Sequence, residues 1–383
     1  MIYLDNCATT KPRDEVIQSM VDSMKVGFGN PSSLHRMGFD VEKQIKEARR
    51  VIADYLFVQE GEIIFTSGGT ESNNIAIQGI AKKNKKRKHI ITTAIEHPAA
   101  SNTIRELEKQ GYEVTILSND NMGRIDLSHL KDSLKEDTFL VSIIHVNNEI
   151  GVIQDIKEIG NIIKDYNKNI HFHVDGVQSF GKIDFSLYKS KVDTFAFSSH
   201  KVYGPKGVGG LFISKNTKLE PILFGGGQEK GIRSGTENTY GIIGFAKAVQ
   251  LLSKNTSYEN KKVLDLKTYL VDELNRRIEG IKINSFLDEK SSPYILNISF
   301  SDTRGEVIVH YLEEDKIFVS TSSACSSKGT TKSHVLSAIG LEDRFSQGTI
   351  RICFSYDLSY EDMTFTAEKI TKAVNEIRSL TRR

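Results

Sequence analysis

A lysine at the end of an apolar segment is the residue of this sequence whose position most directly suggests chemistry. Lys201 follows the apolar run 194–197 and two serines, and the glycine- and proline-rich turn 204–207 comes after it. A lysine at the end of a buried strand is destabilising unless it is neutralised or used covalently. A neutral lysine attacks carbonyl groups and forms Schiff bases, and Ser198 and His200 beside it are donors for a phosphate. The alternative is an ordinary surface lysine in a strand-loop-strand connection.

Two further turns carry groups that a phosphorylated, ring-containing ligand would need. Segment 67–72 lies between a predicted strand and a predicted helix; Gly69 lets the backbone approach an anion, Thr70 adds a hydroxyl, and the helix start supplies free N–H groups. Asp175 follows the strand predicted at 171–174, where its carboxylate can hold a protonated ring nitrogen of a cofactor. The alternatives are a plain N-cap turn for the first segment and an Asx-turn for Asp175.

Three more polar residues belong to the same group of candidates. His97 follows a predicted strand and can stack on a ring or shuttle a proton, because its unperturbed pKa lies near neutral pH; alternatively it only starts a helix. Asn148 can hold a ligand hydroxyl or carboxylate, although Asn-Asn-Glu is also an ordinary turn. Arg351 alternates with apolar residues in one strand; such an arginine usually faces solvent, but it can also clamp a carboxylate with two hydrogen bonds.

The three cysteines, Cys7, Cys325 and Cys353, differ in their surroundings. Cys325 lies in the run 320–331 of small and polar residues, whose composition predicts an exposed, mobile loop, and an exposed cysteine is a liability unless it reacts. Cys353 lies in an apolar strand and is predicted to be a small core residue. The odd number and wide spacing argue against a disulfide framework and for a reducing compartment.

Composition and charge limit the class of protein. With 383 residues, 38% hydrophobic and 26% charged, the chain is predicted to be a packed soluble protein with two domains. A net charge of +2 gives no general reason to expect direct nucleic acid binding; the basic cluster 82–88 indicates a solvated helix end, with an acidic or RNA partner as the alternative. We predict no signal peptide and no membrane span, and therefore a cytoplasmic protein.

Alternation of strands and helices predicts the fold class. Between residues 62 and 213, short apolar strands alternate with segments in which apolar residues recur every three or four positions. This order implies an α/β fold with a largely parallel sheet, helices on both faces, and ligands at the carboxyl ends of the strands. After about residue 255 a long amphipathic helix, roughly 260–279, is followed by mixed strands and helices, which predicts a smaller α+β domain.

Together, these motifs resemble the cysteine desulfurase family, in the fold-type-I group of pyridoxal-phosphate enzymes related to class V aminotransferases. The matching segments span essentially the whole chain in the family's order: 3–10, 30–35, 66–74, 96–99, 145–151, 173–178, 198–201, 233–238 and 323–325. The resemblance implies a mostly parallel seven-stranded sheet with helices on both faces. It also implies a large cofactor-binding domain at 14–255 and a small α+β domain made of 1–13 and 256–383, which carries the cysteine loop.

The resemblance assigns catalytic and substrate-binding roles to five residues. Lys201 would bind pyridoxal 5'-phosphate covalently and act as the base. His97 would stack on the cofactor ring and assist proton transfer, and Cys325 would accept the sulfur. Asn148 and Arg351 would hold the substrate carboxylate.

The remaining candidates would bind the cofactor. Asp175 would contact the ring nitrogen and Gln178 the phenolic oxygen. The phosphate would be surrounded by the glycine turn and its neighbours, with one residue reaching in from the second subunit of a homodimer: Gly69, Thr70, Ser198, His200 and, from that subunit, Thr236. No metal is expected.

The implied reaction converts L-cysteine to L-alanine and leaves the sulfur on Cys325 as a persulfide for an acceptor protein. The long loop looks like that of the housekeeping branch, with iron–sulfur scaffolds and tRNA-thiolation enzymes as recipients. A selenocysteine lyase or an aminotransferase on the same fold is the alternative, although transamination needs no mobile thiol. A non-enzymatic scaffold that binds sulfur-transfer partners is a second alternative, against which Lys201, Asp175 and His97 argue.

Three positions depart from the family's usual pattern. Cys7 stands where alanine or serine is frequent. Ser322 replaces a frequent glycine, and Lys332 stands where proline is common. The last two changes leave the chemistry intact but bear on loop mobility and on the choice of partner.

Overall fold

A seven-stranded sheet forms the centre of the fold and carries most of the candidate residues at the ends of its strands. The structure, a computed structural model, describes residues 1–84, 86–252, 256–321 and 333–381. Its strands are β1 (Ile2–Tyr3), β2 (Ile63–Thr66), β3 (His89–Thr93), β4 (Glu113–Leu117), β5 (Thr138–Ile144), β6 (His171–Asp175), β7 (Thr194–Ser198), β8 (Gly209–Ile213), β9 (Ile281–Ile283), β10 (Ile295–Phe300), β11 (Ile317–Phe318), β12 (Ser320–Thr321) and β13 (Thr349–Cys353). Its helices are α1 (Asp14–Val26), α2 (Arg36–Leu56), α3 (Gly69–Lys83), α4 (Pro98–Lys109), α5 (Leu127–Ser133), α6 (Ile156–Tyr166), α7 (Thr239–Leu252), α8 (Thr256–Arg277), α9 (Gly305–Glu314), α10 (His334–Ala338), α11 (Asp343–Ser346) and α12 (Tyr360–Thr381).

The strand order of the large sheet is β2-β8-β7-β6-β5-β3-β4. Strands β3 to β7 pair in parallel, whereas β8 runs antiparallel to β7 and β2. Every residue of β5, β6 and β7 is buried, as expected for strands covered by helices on both faces. The prediction of an α/β fold with a mostly parallel seven-stranded sheet is confirmed.

The helices follow the apolar periodicity where one side of the helix faces the core. In α2 the buried positions step by three, four and one residue, and the side chain of His35 caps the start by accepting the N–H of Gly38 at 3.2 Å. Helices α3, α4 and α6 connect strands of the large sheet, as the predicted alternation requires. Helices α1, α5 and α7 and strand β9 were not predicted from the sequence.

A second, antiparallel sheet organises the C-terminal part of the chain, in the order β12-β13-β10-β9. The N-terminal strand β1 pairs in parallel with β11, so Ile2 and Leu4 pack in the same apolar core as Val263 of α8 and Met363 of α12. This core supports our proposal that residues 1–13 and 256–383 form the small domain. Among the described residues, no helix combines the length and the apolar composition needed to cross a membrane.

Candidate active site

A cavity of about 320 Å³ opens where β5, β6 and β7 end and β13 approaches from the second sheet. Its volume is within the range of about 300–1,000 Å³ that is typical of small-molecule sites. Among the described residues, all but Thr236 of those predicted from the sequence to bind cofactor or substrate line it: Gly69, Thr70, His97, Asn148, Asp175, Gln178, Ser198, His200, Lys201 and Arg351.

Lys201 presents its amine to this cavity from a short 3-10 turn directly after β7. Its Nζ donates to the main-chain carbonyls of Cys7 and of Ala8, the latter at 2.9 Å. Burial lowers the pKa of Lys201 to about 8, and the positive charges of Lys182 and Arg351 act in the same direction. Lys201 is therefore a partly buried amine that lines the cavity and has a neutral, nucleophilic fraction near neutral pH, rather than an ordinary surface lysine.

We expect apoprotein to capture pyridoxal 5'-phosphate covalently at a rate that rises with pH and levels off above about pH 8. The neutral amine is the reactive form, and it is the minor form below the pKa of about 8 that burial gives Lys201. The rate is followed by absorbance, with borohydride trapping and mass spectrometry to identify the modified lysine. Nα-acetyl-lysine is the control for the ionisation of the cofactor itself. A rate that keeps rising past about pH 10 would show a lysine of ordinary basicity.

Asp175 and Gln178 supply the groups that a pyridine ring with a phenolic oxygen requires. The Asp175 carboxylate accepts the N–H of Val177 at 3.0 Å and the side-chain amide of Asn73 at 2.7 Å. Gln178 Nε2 donates to the Cys7 carbonyl at 3.0 Å, while its Oε1 is buried without a partner among the described residues. Asp175 is thus fixed at the end of β6, and Gln178 keeps unused hydrogen-bonding capacity toward the cavity.

The glycine turn and the start of α3 form the part of the cavity where the phosphate is predicted to bind. A Cβ on Gly69 would lie 2.4 Å from Cγ2 of Val177, so a larger residue does not fit there. The N-terminus of α3 supplies free N–H groups next to Thr70. Ser198 Oγ is buried and has no partner among the described residues, which is the state expected of a donor reserved for a ligand.

The pKa values of His200 and His97 are both shifted in the direction that favours the neutral ring. Burial, followed by the charges of Lys201 and Lys206, lowers the pKa of His200 to about 4. Burial also lowers the pKa of His97, although the Asp175 charge opposes this. His97 Nδ1 accepts the N–H of Ala99 at 3.1 Å and so caps α4, which leaves the ring proton on Nε2. The histidine therefore both starts a helix and lines the cavity. Its stacking and proton-transfer role remains a prediction.

Arg351 is buried rather than solvent-facing, since β13 lies between β10 and β12 and only 4% of the residue is exposed. Its Nη1 donates to the main-chain carbonyl of Asn148 at 3.1 Å, and its Nη2 donates to Asp5 at 3.0 Å and to Ser320 at 2.9 Å. Its Nε is buried without a partner among the described residues. The usual solvent-facing interpretation of a strand arginine is wrong here, and Arg351 keeps a donor for an anion in the cavity.

Comparison with known proteins places this arrangement in a family. The sequence profile described as Aminotransferase class-V matches residues 2–364. The chain belongs to the class-V aminotransferase family. Among curated members, a protein named cysteine desulfurase IscS from Dictyoglomus turgidum is 42% identical over 380 residues, which cover 99% of this chain and 96% of that protein.

Two solved structures of similar proteins have the same fold as this class-V member. A structure described as a NifS-like protein has a TM-score of 0.92 and 38% identity, and the match covers 98% of this chain and 99% of that one. A structure described as SspA in complex with cysteine has a TM-score of 0.82 and 34% identity, covering 93% of this chain and 99% of that one. The whole chain, including the elements that carry Lys201 and Arg351, therefore has the architecture of this family.

Thr236 lies apart from the site in this single class-V chain. It is exposed and lines a separate cavity of about 60 Å³ together with Ser67 and Arg233. Arg233 forms an ion pair with Glu71 of α3 at 3.1 Å, which ties this segment to the glycine turn. The assignment of Thr236 to the phosphate of a second subunit remains a prediction.

Cys325, with Ser322 and Lys332, lies outside the described residues. The other two cysteines are buried and free, and Cys353 belongs to the small-domain core as predicted. Cys7 was not predicted as a site residue, yet it lines the cavity, and its thiol interacts with the thiol of Cys353. Asn73 also lines the cavity but was not predicted as a site residue. Its position one helical turn after the glycines, on the same helix as Thr70, could have indicated this.

Proposed function

We propose that this chain is a pyridoxal-phosphate-dependent cysteine desulfurase, which converts L-cysteine to L-alanine and passes the sulfur to Cys325. The observation that carries the proposal is the convergence of Lys201, Asp175 and Arg351 on one cavity. These residues supply an amine for the cofactor carbonyl, a carboxylate for its ring nitrogen and a guanidinium for the substrate carboxylate. The 42% identity to a protein named cysteine desulfurase, over nearly the full length of both chains, supports the same reaction.

The residues around the cavity divide the chemistry between them. When bound, pyridoxal 5'-phosphate withdraws electrons from the substrate carbon next to the amino group. Asp175 would hold the proton on the ring nitrogen that makes this withdrawal effective. Lys201 Nζ would hold the cofactor through its carbonyl carbon and would serve as the base for the proton on the substrate Cα. His97 would stack on the ring and would offer its Nε2 proton to the reacting groups.

Sulfur transfer needs a thiol nucleophile that can also deliver the sulfur to an acceptor protein. The Cys325 thiolate attacks the sulfur of the substrate, so an S–S bond forms as the Cβ–S bond breaks, and the carbon fragment takes up a proton. The sum is L-cysteine plus the Cys325 thiol giving L-alanine plus the Cys325 persulfide. Atoms and electrons balance without an external oxidant.

A product analysis tests the reaction class. The purified yellow protein is reduced with borohydride, which should abolish its colour, and native enzyme is incubated with L-cysteine without a reductant. We expect L-alanine and one added sulfur on the protein in equal amounts. A keto acid in place of alanine would identify an aminotransferase, and turnover of selenocysteine but not of cysteine would identify a selenocysteine lyase.

We expect Arg351→Ala to raise KM for L-cysteine by about 30-fold while cofactor occupancy stays near that of the wild type. Losing the charge-assisted hydrogen bonds from an arginine to the substrate carboxylate should weaken the binding free energy by about 2 kcal/mol or more. Steady-state kinetics and the absorbance of bound cofactor are measured together, with Arg351→Lys as the control that keeps the charge but not the planar fork. If cofactor binding fails and KM does not change, Arg351 serves only to hold Asp5 and Asn148 in place.

We propose that the enzyme acts as a homodimer in which Thr236 of each subunit reaches the cofactor phosphate of the other. The exposed side chains of Phe28, Leu34, Phe39 and Phe224 are candidates for the surface that a second subunit covers, since a subunit interface buries large apolar side chains. We expect a dimer in sedimentation at the assay concentration and lower cofactor affinity for Thr236→Val. A fully active monomer would contradict this prediction.

The acceptor of the persulfide sulfur, in our proposal, is a protein: an iron–sulfur scaffold or a tRNA-thiolation enzyme in the cytoplasm. The experiment labels the enzyme with ³⁵S-cysteine and adds cell extract. The acceptor is then identified by transfer of the label, with enzyme lacking the Cys325 thiol as the control.

A further inference from the structure

A continuous row of hydrogen bonds lies behind Asp175 on the side away from Val177. Asn73 Nδ2 contacts Asp175 Oδ2 at 2.7 Å, and Asn73 Oδ1 contacts His173 Nε2 at 2.9 Å. Thr194 Oγ1 then contacts His173 Nδ1 at 2.9 Å and His171 Nε2 at 2.8 Å. Each of these five residues is at most 5% exposed, so the row is shielded from solvent.

The chemistry of the groups fixes the direction of every proton in this row. An ionised Asp175 carboxylate only accepts, so the Asn73 amide must present its nitrogen to it and its oxygen to His173. His173 must then donate from Nε2, which leaves Nδ1 as the acceptor for the single proton of Thr194 Oγ1. Because that proton is used, His171 Nε2 must donate to Thr194. All donors therefore point toward Asp175.

Burial keeps both histidines in the uncharged form that this pattern requires. The pKa of His171 and that of His173 fall to about 3, with burial as the first cause in each. The two residues alternate along β6 and so face the same side of the sheet as Thr194 on the neighbouring strand. A reversed Asn73 amide would set its N–H₂ group against the His173 N–H and its oxygen against the carboxylate.

We propose that Asn73 is a positioning residue for Asp175, and that His173 and Thr194 lock the Asn73 amide with its nitrogen toward the carboxylate. Asp175 then keeps one orientation toward the cofactor ring nitrogen. This inference rests on the proposed role of Asp175, which it extends to the residues behind it.

Comparing two cofactors that differ only at the ring nitrogen measures how much that nitrogen contributes to binding. Full-length variants are loaded with pyridoxal 5'-phosphate or with its 1-deaza analogue, in which C–H replaces that nitrogen, and both dissociation constants are measured by equilibrium dialysis. For Asn73→Leu we expect an affinity loss of about tenfold or more for pyridoxal 5'-phosphate and of less than about twofold for the analogue. Asn74→Leu is the matched control, because Asn74 lies on the same helix but bonds to Thr70 and Gln78.

Three further variants keep the proposal testable if the leucine variant does not fold. Asn73→Asp preserves the shape but replaces the amide donor with a second carboxyl group, which competes with Asp175 for a proton, so we expect the same selective loss. His173→Leu should lose part of the preference for pyridoxal 5'-phosphate over the 1-deaza analogue. His173→Gln, which keeps an N–H donor, should restore that preference. Equal losses for both cofactors would reduce Asn73 to a structural residue, and no loss would overturn the proposal. A wild-type enzyme that does not distinguish the two cofactors would instead refute the role of Asp175 itself.

Discussion

Replacing Lys201 by alanine is expected to abolish L-alanine formation and leave the fold intact. Lys201 contributes the amine of the cavity, and the proposed reaction uses it twice, to hold the cofactor and to move the Cα proton. Loss of a positioned base alone costs on the order of 10³-fold in rate. The fold should survive because removing a buried amine with a lowered pKa relieves an unfavourable charge rather than a packed apolar contact.

The measurement compares Lys201→Ala with Lys206→Ala, a change of the same kind five residues later in an exposed turn. Alanine production, bound-cofactor absorbance and the melting temperature are recorded for both variants. Lys206→Ala should match the wild type in all three. Turnover of Lys201→Ala at the wild-type rate, without an added amine, would remove Lys201 from the mechanism.

The sequence predicted the strand ends of the site because each depends on local signals. Strand β7 is a mostly apolar run that stops at Ser198, and β6, in which histidines alternate with apolar residues, stops at Asp175. Parallel strands bring these carboxyl ends together. Those two facts were enough to place the candidate residues around one site. The helix α7 was missed because residues on almost every side of it are buried, so it lacks the polar face that periodicity detects.

What the sequence could not predict depends on contacts between distant segments. Cys7 reaches the cavity because Thr10 bonds to the main chain of His200 at 2.9 Å, a contact across 190 residues. Arg351 is buried because β12 and β10 flank its strand, which a local alternation of polar and apolar residues does not reveal. The domain boundaries likewise stay predictions. The roles of individual residues in the cavity are also predictions, and the variants proposed for those residues test them.

A large effect is also expected from replacing Cys325, the proposed sulfur acceptor. We expect Cys325→Ser to lower L-alanine production by about a hundredfold or more, because a hydroxyl keeps the size of the side chain but cannot accept sulfur as a persulfide. Cofactor binding should remain at the wild-type level, since Lys201, Asp175 and Gln178 are unchanged. L-Cysteine should still bind and alter the cofactor absorbance, with no added sulfur on the protein.

The structure contains a second candidate for the sulfur acceptor, Cys7, so the test must distinguish the two thiols. Cys7 already lines the cavity, and only 2% of it is exposed, whereas Cys353 behind it is fully buried. A cavity-wall thiol is well placed to meet the substrate but badly placed to hand sulfur to an acceptor protein, so we expect Cys7→Ser and Cys353→Ser to retain most activity. The three serine variants are compared by spectral titration with L-cysteine and by mass spectrometry for one added sulfur. A persulfide found on Cys7, or full alanine production by Cys325→Ser, would transfer the role from Cys325 to the cavity wall.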